Sequence, residues 1–275
     1  MAIYRLLRLV NLLLLAMPLG VTAQRSVIWQ ERPGTWSLHV GIGPSRYLGD
    51  LNEPLDLAQL RLGFATSAAV TYCVTDQLAI RGDLQLYYIR GAQRGTRLAH
   101  NNLAFHSTNP DLSVGIQYSI WHSKHRTYAV IPYGIAGIGV TYMTPKAVYQ
   151  GISYSLAPLQ TEGIAYNRLP LIVRYGIGLP LIKSDRFKGS LEGTYTHVAS
   201  DYLDDVSTQY VDRTSMPFPA VVLSDRSPEI GNLPNAPGAK RGNPARNDGY
   251  LTLSARLVFI IMTPLQRNYR RMFGG

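Results

Sequence analysis

Leu78-Ala79-Ile80-Arg81-Gly82-Asp83-Leu84-Gln85-Leu86-Tyr87-Tyr88 is the stretch that decides the fold. Side chains of a strand alternate between its two faces. Leu78, Ile80, Gly82, Leu84, Leu86 and Tyr88 therefore share one face, and Ala79, Arg81, Asp83, Gln85 and Tyr87 share the other. The pattern recurs downstream. Leu112, Val114, Ile116, Tyr118 and Ile120 stand against Asp111, Ser113, Gln117 and Ser119. Phe187, Leu191 and Tyr195 oppose Lys188, Ser190, Glu192 and Thr194, and Leu251, Leu253, Leu257, Phe259 and Ile261 oppose Thr252, Ser254 and Arg256. Weaker alternation predicts four further strands at about 36–46, 67–75, 127–142 and 169–182. Pro132 and Pro180 each remove a ladder donor, which places them near strand ends or bulges.

The connections between these strands alternate in length. Short turns fall near Thr75-Asp76-Gln77, at His122 to Arg126 and at Ser184-Asp185, and long connections run roughly over 47–66, 92–110, 143–168 and 201–248. Tight turns on one side and long loops on the other are the pattern of an all-β, eight-stranded antiparallel transmembrane barrel with short periplasmic turns and long extracellular loops. A soluble β-sandwich or lipocalin-like barrel shares strand number and alternation, but requires neither the loop asymmetry nor one face so free of charge. Parity puts Arg81, Asp83, Asp111, Arg174, Lys188, Glu192 and Arg256 on the polar face. An outward Arg at the bilayer midplane costs about 2–4 kcal/mol, so these residues are expected to form a charge network in the lumen. Eight strands enclose a space that side chains fill, so the barrel is expected to be closed.

Composition agrees. Arg5 and Arg8 form a basic start, Leu6 through Leu19 supply an apolar stretch interrupted only by Arg8, Asn11 and Pro18, and Val21-Thr22-Ala23 offers a small-x-small cleavage site, so 1–23 reads as a secretory signal. The barrel is then expected over 24–262, with a long outer loop at about 201–248 and a basic periplasmic tail at 263–275. No later segment holds ~20 consecutive apolar residues, which excludes a bundle of membrane helices. Cys73 is the lone cysteine and permits no disulfide within the chain. The net charge of +10 is scattered rather than clustered, which points to anionic lipid or an acidic partner and away from nucleic acid.

Several loop segments are more distinctive than barrel turns require. Ser45-Arg46-Tyr47-Leu48-Gly49-Asp50-Leu51-Asn52 follows strand 1, and Pro158-Leu159-Gln160-Thr161-Glu162-Gly163 lies in the third long connection. The fourth opens with Asp201-Tyr202-Leu203-Asp204-Asp205-Val206-Ser207 and closes with Arg241-Gly242-Asn243-Pro244 and Asn247-Asp248-Gly249-Tyr250. With Asn102-Leu103, Phe105 and Thr144-Pro145-Lys146-Ala147, these segments resemble the PorG-type family, the small outer-membrane barrel of the type IX (Por) secretion system in Bacteroidetes-type bacteria. The resemblance implies a non-enzymatic outer-membrane protein, surrounded by lipid and associated with the periplasmic ring of the export apparatus, with no small-molecule substrate and no cofactor. The chain departs from a minimal barrel in a Pro-rich fourth loop (Pro217, Pro219, Pro228, Pro234, Pro237) and in a tail carrying Arg267, Arg270 and Arg271, which would face a periplasmic partner. A free-standing surface barrel whose loops bind a ligand or partner is the alternative.

Tyr47, Gly49, Asp50, Thr161, Glu162, Gly163, Asp201, Tyr202, Asp204, Asp205 and Arg241 are expected to organise the outer loops. Asp201, Asp204 and Asp205 could in principle offer oxygen ligands to calcium, but the EF-hand spacing is missing. Turn formation is the expected role, with Arg241 as charge partner of one of the three. A lipid hydrolase would need a nucleophile and base in reach of each other. His197 and Ser200 fall on opposite faces of a strand, His39 has no evident nucleophile beside it, and His100, His106, His122 and His125 are expected in loops or turns. No metal site and no catalytic set is assigned.

Overall fold

The computed structural model describes residues 33–52, 60–120, 131–183 and 187–261. The signal segment, the turns at His122 to Arg126 and Ser184-Asp185, and the tail with Arg267, Arg270 and Arg271 lie outside the described residues.

Eight strands form the wall: β1 (Trp36–Leu48), β2 (Leu62–Cys73), β3 (Leu78–Ala92), β4 (Ala104–Ser119), β5 (Tyr133–Thr141), β8 (Leu171–Lys183), β9 (Phe187–Val198) and β10 (Gly249–Ile261). Their order is β3-β2-β1-β10-β9-β8-β5-β4, every pair is antiparallel, and β3 pairs with β4 to close the circle. A short hairpin, β6 (Lys146–Tyr149) and β7 (Ile152–Ser155), hangs from β4 where His106 pairs with Lys146. The register shifts between Pro180 and Ile182, so that proline sits at a bulge, and Pro132 immediately precedes β5.

Within the band the outward residues are predominantly apolar and face away from the protein: Val40, Leu84, Leu112, Ile138, Leu171, Ile177 and Leu253 are each more than half exposed. A soluble protein does not sustain a continuous apolar surface of this extent, which removes the soluble-barrel alternative. From Leu78 to Tyr88, β3 rises roughly 33 Å along its own axis and, at a tilt near 40°, roughly 25 Å along the membrane normal, the height of a lipid-facing band. Rings edge the band at both ends. Trp36 lies 4.8 Å from Tyr72 and Phe187 5.3 Å from Phe259 at the turn end, while Tyr175 lies 5.4 Å from Tyr195 toward the outer end. A closed barrel leaves no unpaired strand edge in hydrocarbon. The chain is an outer-membrane β-barrel.

Besides β5, which begins at Tyr133 rather than near 127, two boundaries at the outer end depart from the sequence reading. β2 begins at Leu62 rather than near 67, and β4 at Ala104 rather than near 111, so most of the expected 92–110 loop is a hairpin of β3 and β4 rising beyond the band. His106 is consequently a strand residue, not a loop residue. Above the band the alternation inverts. Inward residues become apolar (Ile89, Phe105) and outward ones polar (Arg90, His106, Thr108), so a search for apolar exteriors ends too early.

Candidate functional site

Two inward-facing regions carry the polar chemistry, one in the lumen and one capping its outer mouth. In the lumen, β3 and β9 stand opposite each other in the circle, and Arg81 crosses between them. Its Nη1 and Nη2 donate to the Glu192 carboxylate at 2.8 and 2.9 Å, while Nε and Nη2 donate to Asp83 at 2.7 and 2.8 Å. Arg256 completes the cluster, its Nε 2.8 Å from Glu192 and its Nη1 donating to Asp83 at 3.3 Å. A second strut spans β10 and β4, also opposite: the Tyr250 hydroxyl donates to Asp111, which Arg174 Nη2 reaches at 2.6 Å. Arg174 also donates to Thr196 at 3.0 Å, and Tyr87 stacks on Tyr250 with centroids 4.0 Å apart. Arg81, Arg174 and Arg256 balance Asp83, Asp111 and Glu192, so this buried cluster carries no net charge. Lys188 shares the inward parity but lies two inward positions nearer the turn end than Glu192, half-buried opposite Val258. Two struts across the full diameter make the lumen a plug rather than a pore.

The cap is built from the outer connections. Leu51, Leu103, Met143, Leu156, Leu203, Val206 and Leu223 form an apolar core over the mouth, continuous with Tyr47, Ile89 and Phe105 from the strand tops. The loop residues singled out from the sequence meet there. Glu162 is the clasp: Oε1 accepts from the Ser207 N–H at 2.8 Å and Arg241 Nη1 at 2.9 Å, and Oε2 accepts from the Thr208 N–H at 3.0 Å, the Thr208 hydroxyl at 2.6 Å and the Tyr202 hydroxyl at 3.3 Å. Gly163, directly after it, turns the chain at φ +73°. Thr161 donates to Asp205 at 2.5 Å, and its carbonyl accepts from Ser224 at 2.7 Å. Tyr166 donates to the other Asp205 oxygen at 2.7 Å and stacks on Tyr202 at 4.5 Å.

The expected pairing of Arg241 with one of the three aspartates is corrected. Its carboxylate partner is Glu162, and it also donates to the carbonyl of Asp205 at 2.6 Å and that of Ser224 at 3.2 Å. Asp205 adopts φ +68°; its carbonyl accepts from Arg241, while its carboxylate accepts from Thr161 and Tyr166. Asp204 is engaged elsewhere, 2.5 Å from the Tyr47 hydroxyl, which also lies 3.0 Å from Asp248. One phenolic proton serves one carboxylate at a time, so the trio is completed when one of the two acids is protonated. Burial, then the facing carboxylate of Asp248, pushes Asp204 well above the ordinary range; burial, then Asp201, does the same to Asp248. Burial pushes Asp205 up to about 6 against the opposing pull of Arg241, and Asp201 up to about 8. A Cβ on Gly49 would stand 1.9 Å from Asp248 Oδ1 and 2.1 Å from the Tyr47 hydroxyl, so only glycine lets the chain pass this trio. Asp50 accepts from the Asn243 N–H, tying the first connection to the fourth.

Asp204 and Asp205 thus commit their oxygens to separate partners, and among the described residues no three acidic, histidine or cysteine side chains are grouped to hold a metal ion. His39 is buried against the Thr71 hydroxyl, and the Ser200 hydroxyl accepts from the Tyr202 N–H at 3.2 Å. Asp225 went unforeseen. It joins Arg213, Ser227 and Asn235 and so folds the Pro-rich insertion into a knot beside the short helix α1 (Ala220–Ser224). The closing Asn-Asp-Gly of the fourth loop reads as an ordinary turn, so nothing local marked Asp248 as the partner of Asp204.

No family model and no curated protein matches the chain. Among solved structures it is similar to OprG of Pseudomonas aeruginosa (TM-score 0.43, 13% identity, covering 86% of this chain and 100% of that one). Neisserial surface protein A follows at TM-score 0.42, 9% identity, and 82% and 96% coverage. Ail, the attachment invasion locus protein of Yersinia pestis, gives 0.40, 13%, and 83% and 99%.

Proposed function

We propose that this barrel is a non-enzymatic outer-membrane component of a type IX secretion apparatus in a Bacteroidetes-type bacterium, associating on its periplasmic side with the ring of that machine. The reading rests on one observation: the loop segments that carry the resemblance to PorG-type proteins are the segments that interlock in the cap, through Tyr47, Gly49, Glu162, Asp204, Arg241 and Asp248. Tyr47 and Asp248, 201 positions apart in the chain, are hydrogen-bonded in that cap. The plugged lumen favours a part that docks over one that conducts. The basic tail with Arg267, Arg270 and Arg271 is proposed as the periplasmic docking element, after a signal segment at 1–23 has been removed.

Co-purification after mild detergent extraction tests the reading: ring proteins are expected with the wild type and are expected to be lost when Arg267, Arg270 and Arg271 are changed to glutamate. Deletion of the chain is expected to leave sorting-domain cargo in the periplasm. The exposed Phe218 and Leu233 on the fourth loop support a second reading, a free-standing surface barrel that binds a partner through its cap. Extraction of the barrel alone, with cargo export intact on deletion, selects that reading.

A further inference from the structure

Across all the outward positions of the eight staves, the ionisable side chains among the described residues other than tyrosine are Arg46, Arg90, His106 and His197, all at the outer end. Arg90, His106 and the hairpin's Lys146 form one lateral row. His106 pairs with Arg90 on one side and with Lys146 on the other, which sets neighbouring side chains about 5 Å apart. The row stands directly on the lipid-facing band, because the next outward residue below Arg90 is Tyr88. Arg168 continues the arc, its guanidinium 4.7 Å over the ring of Tyr142. Most carboxylates that could neutralise the row are withdrawn: of the described acids of the outer half, Glu162, Asp201, Asp204, Asp205, Asp225 and Asp248 are buried and Asp50 is half-buried. The exposed Asp212 and Glu229 lie in the fourth connection, and Glu229 is paired with Arg226 at 2.7 Å.

We propose that the Arg90–His106–Lys146 row binds the phosphate of an outer-leaflet glycolipid, whose acyl chains lie on Leu86, Tyr88 and Leu112 beneath it. Height selects this ligand. A phosphate whose own acyl chains fill the band below is delivered to the row at headgroup level, and guanidinium and ammonium donors suit its oxygens. A free anion has no such anchor.

The full chain is reconstituted in phosphatidylcholine nanodiscs containing either phosphorylated lipid A or the same lipid after enzymatic dephosphorylation, and retained glycolipid is counted by native mass spectrometry. The wild type is expected to retain the phosphorylated form about tenfold better. An Arg90→Gln/Lys146→Gln variant is expected to lose that preference. The charge-keeping exchange Arg90→Lys/Lys146→Arg is expected to preserve it, and its retention shows that the rim tolerates substitution. Arg94→Gln/Arg97→Gln, which removes the same charge from the loop above, is expected to leave it unchanged. Equal retention of both lipids by the wild type, equal loss in the two glutamine variants, or displacement by millimolar inorganic phosphate would overturn the assignment.

Discussion

The lumen and the cap are both buried and both rich in carboxylates, yet they neutralise charge by opposite means. In the lumen three arginines meet three acids across the full width of the barrel. In the cap acids outnumber their cationic partners, and Asp204, Asp205 and Asp248 are held by hydroxyls, backbone amides and raised proton affinity. The difference follows from location. Staves fixed by their ladders can aim long arginines at distant acids, whereas loops bring short side chains into mutual contact and must satisfy them locally. The cap, whose acids hold their protons more tightly than free carboxyls, is expected to respond to pH.

Breaking the lumen should have the largest effect. Glu192→Leu leaves Arg81 and Arg256 sharing Asp83 in a dry interior and is expected to cost about 3–5 kcal/mol, read as a shift in the urea midpoint of the barrel in detergent. An unchanged midpoint would show that the cluster is hydrated. The cap core comes next. Leu203→Ala is expected to cost about 2–4 kcal/mol, but only locally: hydrogen exchange across 201–248 should accelerate while the barrel's own midpoint stays put. If both move together, cap and barrel form one cooperative unit and the contrast fails.

Titration sharpens the same comparison. Acids whose folded pKa is raised bind more protons in the closed cap than in the open one, so the cap gains stability as pH falls through their folded values toward the ordinary carboxylate range. With Asp201 near 8 and Asp205 near 6, opening of 201–208 is expected to become at least about tenfold rarer between pH 8 and pH 5, after correction for intrinsic exchange. Asp205→Asn should flatten the lower part of that curve. The smallest effect is expected from Tyr47→Phe. It removes one donor from the Asp204–Asp248 pair and should cost about 1–2 kcal/mol of cap stability with no change in the lumen.

Legibility in the sequence tracked the solvent on each face. β3, β10 and the lower part of β4 meet hydrocarbon outside and a polar plug inside, so their alternation is complete and their parity places Arg81, Asp83, Asp111 and Arg256 inside. β2 and β5 present small outward residues such as Thr66, Ala68 and Ala136, and their ends blur. Beyond the band the environments exchange, apolar core within and water without, and the upper β3–β4 hairpin is read as loop. The cap residues could be nominated from their loop motifs, but not their pairings: Arg241 with Glu162 and Asp204 with Asp248 join loops whose approach no local pattern encodes.

What the chain alone determined is the partition of side chains between lipid and lumen, because a period of two is a property of any extended backbone. What only the tertiary structure decided is which charges meet. Closure of the circle places β3 against β9 and folds the third connection onto the fourth, and Coulomb and hydrogen-bond energies depend on those distances rather than on position along the chain. The basic outer rim has the same origin: it emerges because folding buries Glu162, Asp201, Asp204, Asp205, Asp225 and Asp248 in the cap and leaves Arg90 and Lys146 at the surface.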